Sequence, residues 1–206
     1  MSEVTRSAQA TGAAAAARVA HARRTLPNGW WGMLLLVAAE ATLFGTLIAS
    51  YFYLRFQASA WPPAGIAAPS VTLPLLLTAA LVATTAPILA AARAARAGRR
   101  AAAVRLLVLA TLVQGGYLAA QVVLFKHDLA SLDPRDTAYG SVYFALLGVH
   151  HAHVAVGIAL NLGLIARLAG GLTNYRLIGM SALALYWSFV SAAAIAVVLT
   201  QISPSL

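Results

Sequence analysis

Five long apolar stretches, separated by short polar segments, organise this chain of 206 residues. Each is about 20 residues or longer, which is the length that an α-helix needs to cross the ~30 Å hydrocarbon core of a bilayer. The pattern therefore predicts an all-α, polytopic membrane protein built as a bundle of five transmembrane helices. The predicted spans are residues 30–54, 71–92, 104–125, 139–168 and 177–201.

Prolines and charged runs set the expected limits of these helices. Pro62 and Pro63 cannot continue a helix, so they predict a loop between the first two spans. Pro87 has no backbone N–H and is expected to kink the second span. The charged runs at residues 93–100 and 126–136 predict two further loops.

The composition supports a membrane protein and excludes several classes of site. Hydrophobic residues make up 61% of the chain and charged residues only 9%, against roughly 25% charged residues in a soluble domain. The chain has no cysteine, which excludes disulfides, thiolate metal sites and a cysteine nucleophile. The net charge of +9 would suit nucleic acid. Because the arginines cluster at the ends of the predicted helices, membrane topology explains them and we expect no nucleic-acid partner.

The distribution of lysine and arginine predicts the orientation. Residues 1–27 are expected to form a cytoplasmic tail that precedes a five-helix domain over residues 28–206. Of the 14 Lys and Arg residues, 11 lie in the tail, the second loop and the fourth loop. This excess of Lys and Arg on one side of the membrane places the N-terminus in the cytoplasm and the C-terminus outside. High alanine and arginine content with a single lysine suggests a GC-rich bacterial genome, hence the bacterial cytoplasmic membrane.

Ionisable residues inside two of the spans are the candidate site. Glu40 lies about ten residues into the first span, and His150 about eleven into the fourth, so both are roughly 15 Å deep. Polar groups at this depth usually face protein or a water-filled cavity and mark function. His150 and His153 share one helix face, whereas His151 points about 100° away.

We expect Glu40 to be neutral or closely partnered, because a lone anion in the bilayer core is costly. Its predicted partner is His150 or His153, which would tie the first span to the fourth. Two roles remain open for such a contact: a structural hydrogen bond between helices, or a proton relay in which histidine takes part.

Adjacent histidines in a membrane helix also suit copper or haem. Those sites need imidazoles that converge from several helices, and here all histidines within the predicted spans lie on one helix. We therefore expect no metal ligands and no redox centre in this chain. A proton-coupled transporter is an alternative class, although the paired, broken-helix repeats that many transporters show are not evident.

Several ordered motifs carry a resemblance to one family. They are Gly32-Met33 with Glu40 and Phe44, Trp61-Pro62-Pro63-Ala64-Gly65-Ile66, Gln121, Tyr139-Gly140-Ser141, Gly148 with His150, His153, Val154 and Gly157, and Tyr186-Trp187 with Phe189 and Val190. Because these motifs occur in this order, the chain resembles subunit III of the haem-copper cytochrome c oxidases over nearly all of residues 30–201. The Trp-Pro-Pro-x-Gly-Ile loop is the most specific single match.

The chain departs from the family pattern at several positions. It resembles the five-helix bacterial form, since the longer members have seven helices. Ser188 stands where the family often has His, and Ser191 where it often has Asp. Leu124 replaces an expected Glu, and His151 an expected Gly. These changes leave open whether the electron donor is cytochrome c or a quinol.

The resemblance implies an accessory role without catalytic residues in this chain. Subunit III packs on the catalytic subunit I, and subunit II is a further expected partner; the partners hold haem and copper. It also binds phospholipid and supports proton uptake and stability. Oxygen reduction to water, coupled to proton translocation, would belong to the whole complex. An accessory protein of nitric oxide reductase, which shares this fold, is the alternative.

Overall fold

The computed structural model describes residues 28–205, and the predicted tail at 1–27 lies outside the described residues. The helices are α1 (Asn28–Gln57), α2 (Thr72–Ala83), α3 (Thr85–Arg96), α4 (Arg100–Ser131), α5 (Ala138–Ala169) and α6 (Asn174–Ile202), followed by a 3-10 turn at Ser203–Ser205. Because α2 and α3 together form one span, residues 28–205 hold five membrane-length segments and no strand. The predicted all-α bundle of five spans is confirmed.

The break predicted for Pro87 falls one turn earlier, at Thr84. In a regular helix the carbonyl of Ala83 would accept a hydrogen bond from the backbone N–H of residue 87. Pro87 has no N–H, so this hydrogen bond cannot form. The backbone N–H of Thr84 turns to the carbonyl of Leu81 at 3.0 Å, and the Thr84 hydroxyl donates to the same oxygen at 2.6 Å. The two half-helices of this span therefore meet at a buried threonine.

The loops predicted from charge are shorter than expected. Residues 93–96 belong to α3 and residues 126–131 belong to α4, so both loop assignments were wrong at these positions. Charged residues do not interrupt a helix, and the α3–α4 turn comes only at Gly98, where φ is +74°. A helix of 32 residues measures about 48 Å and so extends beyond a ~30 Å bilayer core.

The sixth helix is the centre of the bundle. α6 packs against α1, α2, α3 and α5, whereas α1 contacts only α5 and α6 among the described helices. In the most apolar 18-residue stretch of each helix, 56% of the residues are buried in α6 and 6% are buried in α1. α1 therefore presents most of its apolar surface outward, towards lipid or another protein.

Hydrogen bonds between distant segments identify the two ends of the bundle. Arg100 donates to the carbonyl of Ala169 at 2.6 Å, joining the start of α4 to the end of α5; this side is called the arginine end. Arg55 donates to the Ser203 hydroxyl at 2.6 Å, joining the end of α1 to the end of α6. That opposite side also carries Asp128 and is called the aspartate end.

Candidate functional site

Glu40 and His153 meet where α1 crosses α5. The Oε2 atom of Glu40 lies 3.0 Å from Nε2 of His153. The second ring nitrogen of His153, Nδ1, lies 2.7 Å from the backbone carbonyl of Val149. A carbonyl oxygen only accepts, so Nδ1 carries a hydrogen. The contact between Nε2 and the carboxyl group therefore holds one proton, as a neutral acid with imidazole or as a carboxylate with imidazolium.

Aromatic groups surround this pair on the bundle side. The ring of Phe44 lies 5.1 Å from the His153 ring, centroid to centroid, and that of Phe189 lies 6.3 Å away. The hydroxyl of Tyr186 donates to the backbone carbonyl of His153 at 2.9 Å. The His153 side chain is 15% exposed and that of Glu40 is 27% exposed. The pair thus lies at the edge of the bundle, where lipid or a partner protein can reach it.

His150 is not the partner of Glu40, although its depth allowed that contact. Its Nε2 lies 3.2 Å from the hydroxyl of Tyr117 in α4, and Gln121 donates to the same hydroxyl at 3.1 Å. The predicted histidine pair therefore divides between two neighbours, His153 towards α1 and His150 towards α4. His151 takes a third direction, with its ring 5.9 Å from that of Phe125.

A second polar cluster, centred on Asn161, was missed at the sequence level. The side-chain N–H groups of Asn161 donate to Gln114 Oε1 at 2.7 Å and to Thr111 Oγ1 at 3.1 Å. Trp187 Nε1 donates to Asn161 Oδ1 at 2.9 Å, and Gln114 donates to Thr84 at 2.9 Å. An uncharged amide within an apolar span is the signal that would have revealed it. The cluster ties the α2–α3 break to α4, α5 and α6.

The motif residues other than Glu40 and the histidines have structural positions. Trp61 packs edge-on between Tyr51 and Tyr139, at centroid distances of 5.3 Å and 5.1 Å, and so joins the loop that contains Pro62 and Pro63 to α1 and α5. Tyr186 and Trp187 are buried, as is Gly157, which contacts the Trp187 ring. Gly148 has open space where a side chain would be.

Ser191, which replaces an expected aspartate, also forms a contact between helices. Its hydroxyl lies 2.7 Å from that of Thr85 at the start of α3. Ser188 instead donates to the carbonyl of Ala184 in its own helix. Within residues 28–205, no three His, Cys, Asp or Glu side chains are grouped as metal ligands.

An apolar groove lies between α1, α5 and α6, towards the arginine end. Its volume is about 310 Å³, and its walls come from α1, α5 and α6. Met33, Leu160 and Leu164 supply apolar wall, and Arg167 provides a positive charge at the end of α5. The groove therefore combines an apolar wall with one cationic side chain at its end.

Comparison with known proteins gives one family. The family model described as cytochrome c oxidase subunit III matches residues 12–200. Cytochrome c oxidase subunit 3 of Coturnix japonica is 31% identical over 167 residues, covering 78% of this chain and 63% of that protein. The Gallus gallus subunit is 30% identical with the same coverage, and that of Locusta migratoria is 29% identical over 171 residues, again with 78% and 63% covered.

The chain thus spans 63% of the length of these relatives. The match nevertheless runs through all five spans and contains Glu40, His150, His153 and the Trp61 loop. A family model that covers nearly the whole chain, together with relatives about 30% identical, settles the classification. This chain belongs to the cytochrome c oxidase subunit III family.

Proposed function

We propose that this chain is a non-catalytic accessory subunit of a haem-copper terminal oxidase, whose haem and copper are held by its partner subunits I and II. The observation that carries this is the Glu40–His153 contact at membrane depth, 3.0 Å long, in a chain of this family. The family match over residues 12–200 supports a role as an oxidase subunit. The partners would then reduce oxygen to water and translocate protons.

The outer face of α1 is the proposed contact with the catalytic subunit. Leu35, Leu36, Leu43 and Phe56 are all exposed on this helix. A long apolar helix that is covered on only one side fits docking against another membrane subunit. Glu40 lies on the same helix, so docking would bring the Glu40–His153 contact close to the partner.

Phospholipid is the proposed occupant of the groove between α1, α5 and α6. An acyl chain suits its apolar wall, and Arg167 in that wall suits a phosphate group. Arg176 lies outside the groove lining and donates to the carbonyl of Gly171 at 2.6 Å. Both arginines lie at the arginine end, which the positive-inside rule places in the cytoplasm of a bacterial cell. This orientation also puts the tail inside and the C-terminus outside.

The single proton between Glu40 and His153 supports a role in proton uptake. The carboxyl group is partly exposed, so it can exchange that proton with a water chain or a partner group. The relatives named above are oxidase subunits, which favours an oxidase over nitric oxide reductase and over a transporter.

Purification from the native membrane tests the proposal. A tagged chain should co-purify with a haem-bearing complex that consumes oxygen and shows an oxidase haem spectrum. Isolation with a complex that reduces nitric oxide, but not oxygen, would favour the alternative. Isolation without any haem protein would contradict an accessory role in either complex.

A further inference from the structure

A polar cavity of about 120 Å³ lies among α2, α4, α5 and α6, on the side of α5 where His150 meets α4, whereas the Glu40 pair lies on the side that meets α1. Its lining is mixed: apolar residues such as Leu147 and Val198 form part of the wall, and the polar residues include Thr78, Tyr117, Gln121, Asp128, His150 and Gln201. A single water requires about 10–15 Å³ in this measure of volume, together with two to four polar partners. The cavity therefore has both the room and the lining for several water molecules.

Two buried nitrogens at this cavity make no hydrogen bond to a protein group. They are Nδ1 of His150 and Nε2 of Gln201, whose side chains are 1% and 7% exposed. When Tyr117 donates to Nε2 of His150, Nδ1 carries a hydrogen and needs an acceptor; in the other tautomer Nδ1 needs a donor. A buried group of this kind costs about 1–3 kcal/mol when left unpaired. Water in the cavity would satisfy both tautomers.

The cavity continues to the surface at the aspartate end. Asp128 and Tyr143 line both this cavity and a wider outer one of about 360 Å³, which is bounded by the loop at residues 65–70. Tyr143 donates to Asp128 at 3.0 Å, and the Asp128 side chain is 35% exposed. Asp128 and Tyr117 are 11 residues apart in α4, so the lining runs about 16 Å into the bundle.

We propose that this is a water-filled proton-access cavity, through which the aqueous phase at the aspartate end exchanges protons with His150 near mid-membrane. The titratable groups around His150 are Tyr117 on α4 and His151 and His153 on its own helix. The walls from α2 and α6 contribute the neutral groups of Thr78 and Gln201. The cavity has no lining residue on α1, whose outer face is the proposed subunit contact, so the inference stands independently of that contact.

Cysteine accessibility tests whether water reaches the cavity, since the native chain has no cysteine. Ala194→Cys places a thiol in the cavity wall. Ala193→Cys is the matched control, at the same depth but packed against Phe44 and Leu146. Sealed vesicles containing the assembled complex are treated with silver ion. The remaining thiol on this chain is then labelled with a maleimide after denaturation.

The expected result is loss of maleimide labelling at residue 194, but not at residue 193, when silver is added on the aspartate-end side. If silver blocked labelling equally at both positions, the helices would be open to water in general. If silver blocked labelling at neither position, the cavity would be dry. Silver that reaches residue 194 only from the arginine end would show that the cavity opens on the side opposite to the one proposed. Each of these outcomes overturns the proposal. If Ala194→Cys does not assemble, Thr78→Cys reports from the opposite wall.

A second pair tests the floor of the cavity. His150→Cys should lose its maleimide labelling to silver, whereas His151→Cys, beside Phe125 and outside the cavity lining, should keep it. Adding Ala194→Leu to His150→Cys fills the path and should restore labelling. The proton itself is read by solid-state NMR with ¹⁵N-labelled histidine. A cross-peak between water and the His150 ring N–H, assigned by its loss in His150→Gln, is expected, and its absence would overturn the proton exchange.

Discussion

Gly157 on α5 lies so close to Trp187 on α6 that a Cβ atom at Gly157 would be 2.6 Å from Cζ2 of the indole. The same indole donates to Asn161, one turn further along α5, at 2.9 Å. The absence of a side chain at Gly157 therefore allows the hydrogen bond to Asn161 to form. The two helices are held in register by one glycine and one amide.

Gly157→Ala should destabilise the protein, because the indole must shift and its bond to Asn161 must weaken. Overpacking of a tight core costs about 1–3 kcal/mol. Gly148→Ala is the matched control on the same helix, since a Cβ there meets nothing within 4 Å. It should change stability by less than about 1 kcal/mol. Thermal unfolding in detergent measures both, and equal effects would contradict the proposed contact.

Replacing Asn161 with leucine should be more damaging than replacing an isolated polar group. The change leaves Gln114 Oε1 and the Trp187 N–H buried without partners, at about 1–3 kcal/mol for each. Ser188→Ala is the control, because Ser188 bonds only within its own helix. Its effect on thermal stability should be small. A stable Asn161→Leu variant would show that the cluster is dispensable.

Glu40→Gln should preserve assembly, whereas Glu40→Ala should weaken it. The glutamine amide can donate to Nε2 of His153, but alanine leaves that nitrogen unpaired, at a cost on the order of 1–3 kcal/mol. Partial exposure of the pair places the effect at the low end of this range. The measurement is detergent stability of the complex. If Glu40→Gln assembles normally but its turnover declines faster, the carboxyl group has a protonic role as well.

Double mutants identify which histidine is coupled to Glu40. Glu40→Ala and His153→Ala should be non-additive, because they remove the two sides of one contact. Glu40→Ala and His150→Ala should be nearly additive, because His150 bonds to Tyr117 instead. Additive effects with both histidines would contradict the contact at 3.0 Å.

Cysteine labelling also tests the orientation of the bundle. Ser205→Cys at the aspartate end should react with an impermeant reagent added outside the cell, and Ala97→Cys at the arginine end only from the cytoplasm. The lysine and arginine distribution provides the physical reason. Reversed labelling of the two positions would contradict the proposed topology.

The chain expressed alone should bind no haem or copper. Its intramembrane histidines lie on one helix and contact three different side chains, those of Tyr117, Phe125 and Glu40, so they do not converge on a metal. Metal analysis and an absorption spectrum measure this directly. Stoichiometric copper or a Soret band would contradict the expectation.

The sequence by itself determined the five spans, the family and the depth of Glu40 and the histidines. Hydrophobic length is a property of each segment alone, and depth follows from counting residues along a helix. The ordered motifs added the family, which the comparisons confirmed.

Only the tertiary structure decided which groups meet. His150 and His153 have similar depths, but the angle of about 60° between them around the helix axis turns one to α4 and the other to α1. The Asn161 cluster and the polar cavity likewise depend on the rotation of several helices about their axes. Rotation is set by close packing between neighbours such as Gly157 and Trp187, and an almost uniformly apolar span carries little trace of it.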